Sequence, residues 1–174
     1  MLTEDLLKSA VKAKRLVVAE PIEAWAPQPR KFLMCPALAH EIEQGRQSSD
    51  EKERQRWAVL EASISHFIEG GIVTEDLLKQ LQPYKYEHWE LRSRKPKPSL
   101  RIFGRFALPD VFVGTHIRPR EMLGGMWSPE FEHEKLVCEE HWKNAGLDEP
   151  FSAPPDFNYE AYITANASKK LEIG

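Results

Sequence analysis

The spacing of apolar positions divides the chain into helical stretches at its two ends and an extended stretch between residues 84 and 120. From Trp57, the residues Leu60, Ile64, Phe67 and Ile68 recur at three- and four-residue steps, which predicts an amphipathic helix closed by Gly70-Gly71. Thr3-Glu4-Asp5-Leu6-Leu7-Lys8 predicts a short helix, with Thr3 as its cap and two carboxylates in the first turn. The same six letters return at Thr74 to Lys79 and predict a second capped helix reaching about Leu81. The residues after the two copies differ, so this is one capping solution used twice and no duplicated domain.

Leu16-Val17-Val18 predicts a short strand, and Arg30 to Cys35 a second one stopped by Pro36. Pro21, Pro27 and Pro29 deny ladder hydrogen bonds between them. Ala37 to Gln44 predicts a helix closed by Gly45, followed by a polar linker from Gln47 to Asp50. Beyond Pro83 the period changes from helical to alternating. Trp89 to Arg92, Leu100 to Phe106 and Val111 to His116 predict three consecutive strands. Turn signals separate them at Lys95-Pro96-Lys97-Pro98 and at Leu108-Pro109-Asp110. Gly124-Gly125 ends this region, and Glu130 to Ala145 predicts a last helix carrying Phe131, Leu136, Val137 and Trp142.

The expected fold class is α+β: two helices packed on a small twisted antiparallel sheet, with helical N- and C-terminal extensions. Residues 1–46 are read as an N-terminal extension and 47–146 as the α+β domain. Residues 147–174, with Pro150, Pro154 and Pro155, are read as an extended or partly disordered tail.

A hydrophobic share of 41% and five tryptophans suffice for a packed core. No apolar run approaches the roughly 20 residues of a membrane helix. The start of the chain lacks a signal-peptide layout. Cys35 and Cys138 lie far apart, against a disulfide framework. A soluble cytoplasmic protein is the expectation. Charge alters the picture more. Lys85, Arg92, Arg94, Lys95, Lys97, Arg101, Arg105, Arg118 and Arg120 stand against Glu87, Glu90 and Asp110, a net of +6 in a chain whose formal charge is −3. A basic segment on an acidic body suits a polyanionic partner.

Leu78-Lys79-Gln80-Leu81, the Trp89-Glu90-Leu91-Arg92 strand, the aromatic-rich strand from Arg101 to Phe106, and the turn from Thr115 to Arg120 entered through His116 resemble, in that order, the RelE/ParE toxin superfamily. The resemblance is to its HigB-like, phage-associated branch and covers about Arg56 to Gly125. It implies the α+β fold above and a metal-independent endoribonuclease toxin that cleaves messenger RNA, often on the ribosome. A cognate antitoxin would be the partner, and its acidic segment is expected to wrap the basic sheet face. In place of the family's Lys-Lys pair this chain has Ile117-Arg118-Pro119-Arg120. Arginine keeps the charge but does not give up a proton, so a lysine acid/base role is lost. The chain is also longer than a usual member.

Cleavage by a neighbouring 2′-hydroxyl needs a proton acceptor, a proton donor and cations around the phosphorus. His116 is the candidate proton carrier, and Arg101 and Arg118 are the candidate phosphate forks. Arg92, Arg94, Lys95, Lys97, Arg105 and Arg120 are candidates for binding nucleic acid by charge, and Tyr86 for stacking on a base. The alternative readings are a non-catalytic factor, phage- or mobile-element-encoded, that binds nucleic acid or protein, and a gyrase-directed toxin. Salt-dependent RNA binding without cleavage would select the non-catalytic factor. His133, Cys138 and His141 could hold a metal by type, but a zinc site wants four ligands, and their glutamate-rich surroundings read as a solvated face. No cofactor or metal is expected, and the glycine pairs lack nucleotide-loop spacing.

Overall fold

The computed structural model describes residues 2–153 and 159–166. Helix α1 (Glu4–Lys12) starts where the Thr3 hydroxyl accepts the Leu6 N–H. Strands β1 (Val17–Val18) and β2 (Lys31–Met34) follow, then a helix pair, α2 (Pro36–Arg46) and α3 (Glu51–Ile68). Pro36 sits in the first turn of α2, where its missing N–H has no partner to lose. Asp50 caps α3 through the Lys52 N–H. A Cβ at Gly45 would meet the Trp57 ring within 2.3 Å, so glycine is what lets the two helices close on each other.

Four more strands follow: β3 (Leu78–Gln80), β4 (Trp89–Arg92), β5 (Leu100–Leu108) and β6 (Val111–Pro119). Helix α4 (Pro129–Asn144), capped by Ser128, and the short helix α5 (Tyr159–Tyr162) are the last elements among the described residues. The strands make one six-stranded sheet in the order β1-β2-β6-β5-β4-β3. All pairs are antiparallel except β2 with β6, which is parallel.

The fold is thus α+β, but with a larger, mixed sheet and five helices among the described residues, where the pattern predicts two helices on a small antiparallel sheet. β2 lies inside the sheet, with Phe32 fully buried, so residues 1–46 contribute two strands and two helices to the same layers. Its parallel pairing with a strand about 80 residues later leaves no local sequence signal.

Thr74 to Leu81 is also a correction. The Thr74 hydroxyl does accept the Asp76 N–H, and one turn forms, but the chain then extends into β3. Leu78 is fully buried opposite Leu91, and Pro83 stops any helix five residues on. After Lys8 the sequence Ser-Ala-Val lets the helix continue, whereas Gln80-Leu81-Gln82-Pro83 does not, and pairing with β4 overrides the cap.

One face of the sheet packs on α2 and α3, through Phe32, Ile102, Phe106 and Phe112 against Leu38, Leu60, Ile64 and Phe67. Each such side chain contributes roughly 1.5–3 kcal/mol on burial. The C-terminal segment joins this layer: Trp89 has the rings of Phe106, Tyr159 and Tyr162 at 5.1, 5.8 and 4.8 Å. Residues 159–163 are therefore core and no appendage, because two tyrosines and Ile163 fill a gap that the strands leave. Pro154, Pro155 and residues 167–174 lie outside the described residues. The other face packs on α1 and α4. At Gly104 a Cβ would meet Val113 O at 2.3 Å, so glycine is required where β5 and β6 shift register around Thr115.

Candidate nucleic-acid interface at one end of the sheet

Register places the predicted residues. Arg92 pairs with Arg101, and Arg101 with Arg118, so three arginines stand directly opposite one another across β4, β5 and β6. One row inward, Glu90 pairs with Phe103, and Phe103 with His116. Residues opposite in an antiparallel pair share a face, and this is the face under α4.

The arginine row is graded in exposure: the side chains of Arg101, Arg92 and Arg118 are 5%, 17% and 32% accessible. Arg101 Nη1 donates to Ser93 O, Leu100 O and Ser99 Oγ. Arg92 Nη1 donates to Glu75 O, and Arg120 Nη1 to Gly124 O. Glu90 is buried among them, its Oε1 3.3 Å from Arg92 Nε and 3.8 Å from Arg101 Nε. Neither contact is a hydrogen bond, the second being too long, and Glu90 Oε2 and the two Nε atoms have no hydrogen-bond partner among the described residues. Burial lowers the Arg101 pKa to about 10, with Arg92, Arg120 and Arg94 pushing the same way and Glu90 opposing. Burial also raises Glu90, against the pull of Arg92, Arg101, Lys79 and Arg120.

His116 is brought near this row but sealed. It is 2% exposed, stacked between the rings of Phe103 and His141, with Nε2 2.6 Å from Glu134 Oε2 and Nδ1 2.9 Å from Thr115 Oγ1. Burial lowers its pKa to about 4, against the raising pull of Glu134. Both ring nitrogens are engaged, so the imidazole has no open edge. Glu134 also binds Arg118, at 3.2 Å from Nε. Beside Arg118 a cleft of about 330 Å³ opens between the turn Arg120–Met122 and α4, lined also by Met122 and His133.

The other candidates separate into two groups. Arg94 is exposed and pairs with Asp76, and Lys95 and Lys97 are exposed in the β4–β5 loop, on the same end as the row. Arg105 and Tyr86 lie elsewhere: Arg105 donates to Tyr86 O and its guanidinium sits 5.5 Å from the Trp142 ring, two rows from the arginines. Among the described residues no three His, Cys, Asp or Glu side chains cluster to hold a metal.

Sequence reasoning missed Glu90 and Glu134. The glutamates around His133 and His141 read in sequence as a solvated acidic face, yet Glu134 is 7% exposed. The signal was present: Phe131, Glu134, Cys138 and Trp142 follow each other at three- and four-residue steps, so Glu134 falls on the buried stripe of α4. Glu90 alternates with Trp89 and Leu91, which puts it on the face of Arg92. No helix among the described residues is long and apolar enough to cross a membrane. In comparisons with protein-family models, curated proteins and solved structures, nothing matches the chain.

Proposed function

We propose that the protein binds nucleic acid by its phosphates at the arginine-rich end of the sheet, without cutting it. The observation that carries this reading is the cross-strand row Arg92–Arg101–Arg118. Like charges directly opposite on a sheet are destabilising, so the row carries a repulsion that its hydrogen bonds and the two carboxylates Glu90 and Glu134 must offset. The more open forks of Arg118, Arg94 and Arg120, with Lys79 close by, form a surface matched to phosphate oxygens, which the buried Arg101 anchors. Of the toxin-like arrangement, α3 and the meander β4–β5–β6 are present, while the second expected helix, Thr74 to Leu81, is replaced by β3.

A second reading, the endoribonuclease, is favoured by one observation. His116 and Arg118 converge on a single anionic group, the Glu134 carboxylate, much as a proton carrier and a cation would on phosphate. As folded, α4 fills that place, so the binding reading ranks first.

Fluorescence anisotropy with labelled single-stranded RNA tests both. Binding that weakens with salt is expected, and R94A/R120A should reduce the slope of log K against log salt by roughly 0.7 per lost contact. Salt-independent binding, or none, would sink the proposal. Cleavage of the RNA by the wild type that disappears in H116Q would promote the second reading over the first.

A further inference from the structure

A second surface lies on the α1 side of the sheet, at the opposite end of the chain's fold from the arginine row. A groove of about 370 Å³ runs between α1 and the strand ends. Leu7 and Leu33 form a recessed floor, 6% and 3% exposed, and Val11, Val18 and Val111 form half-open walls. Lys8, Lys12 and Lys31 stand around it, with Glu4 the single carboxylate in its lining. Among the described residues none of the three lysines makes an ion pair.

We infer that this groove docks an amphipathic helix of a partner protein, apolar on one side and rich in glutamate or aspartate along its flanks. Charge selects the occupant. Three unmatched lysines around an apolar floor leave a positive rim that an acidic flank neutralises while its leucine-like residues enter the floor. Period selects a helix: on α1 the apolar pair Leu7 and Val11 and the basic pair Lys8 and Lys12 are each four apart, so the two stripes run along one helix axis and meet a second helix in register. A second copy of this chain paired symmetrically through this face is disfavoured, because α1 would then set its own lysines against one another. A membrane surface meets a protruding apolar face, whereas Leu7 and Leu33 are recessed.

The test uses the full chain and two fluorescein-labelled synthetic amphipathic helices, one of leucine and glutamate, the other with lysine in place of glutamate. The glutamate peptide is expected to bind the wild type, more weakly as salt rises, and the lysine peptide not to. K8E/K12E/K31E should lose about tenfold in affinity for the glutamate peptide and take up the lysine peptide instead. Val11→Asp should lose the glutamate peptide without gaining the lysine peptide, and since the lysine variants change only surface positions, their circular dichroism should match the wild type. Neither peptide binding, both binding alike regardless of the lysines, self-association through this face, or capture by anionic lipid vesicles where the peptide fails would each overturn the proposal.

Discussion

Acid should destabilise this protein through two buried histidines that fold neutral. His116 and His88 are 2% and 3% exposed, and burial lowers them from 6.5 to about 4 and about 3. At His88 the charges of Arg105 and Lys135 add to the effect of burial. A lowered folded pKa means the unfolded chain binds the proton first. The stability that each neutral imidazole contributes is whole above pH 6.5 and falls as the pH drops, until the folded pKa is reached. With 1.36 kcal/mol per unit, the upper limits are about 3 kcal/mol for His116 and about 5 kcal/mol for His88. Even half of their sum is a large part of a typical stability of roughly 5–15 kcal/mol. Glu87 and Glu90, raised by burial, act with the opposite sign, so the histidine contribution must be read as a difference. Urea unfolding of wild type, H88Q and H116Q between pH 7 and 4.5 gives it: each variant should have a slope shallower by up to about 1.4 kcal/mol per pH unit. Equal slopes would refute the reasoning. A wild type that gains stability as pH falls toward 6, with the gain lost in H116Q, would mean that Glu134 holds His116 charged.

Glu134→Gln should cost about 1.5–3 kcal/mol, since it replaces the acceptor of two hydrogen bonds from His116 and Arg118, and should tighten RNA binding by freeing Arg118; urea melts and anisotropy read the two effects. Trp89→Ala removes a fully buried ring packed on Phe106, Tyr159 and Tyr162 and should cost about 3–5 kcal/mol, measured as a fall in Tm by roughly 6–20 °C. Tyr162→Phe removes the hydroxyl 2.6 Å from Glu87 Oε2 and should cost about 1–3 kcal/mol, with faster proteolysis of the C-terminal segment as the local readout.

Local patterns carried the elements whose packing is local. The stripe of α3, the capped start of α1, the strands β4 to β6 and the Pro36 boundary could all be read before the fold was known, because period and punctuation decide them. What escaped is long-range. β2 reads as an outlying strand until β6 pairs with it, and Thr74 to Lys79 reads as a helix until β4 claims Leu78. Tyr159 and Tyr162 sit in a stretch rich in proline and polar residues, and only the cavity beside Trp89 turns them into core. The arginines of the site were legible as charge and as strand positions. That Arg92, Arg101 and Arg118 face one another was not, because the register depends on the shift around Thr115 and on loop lengths. The burial of His116 depends on where α4 docks, which no residue near His116 encodes.

The gradient of exposure along the arginine cluster divides its work. Arg101, at 5%, spends Nη1 on the carbonyls of Ser93 and Leu100 and on the Ser99 hydroxyl, so it ties together the two ends of the loop that carries Arg94, Lys95 and Lys97. It is a positioning residue, and a ligand in the solvent does not reach it. Glu90 sits at that buried end, and its charge offsets Arg101 and Arg92 more than the outer side chains. Arg118 at 32% and Arg94 at 55% lie progressively further into solvent, each with one carboxylate of its own. The neutralising charge is therefore concentrated where the cluster is anchored, while Arg120, Lys95 and Lys97, which make no ion pair among the described residues, stand where a backbone of phosphates can approach. An arrangement meant only to hold the sheet together has no need of this polarity, and one meant to present cations to an anion does.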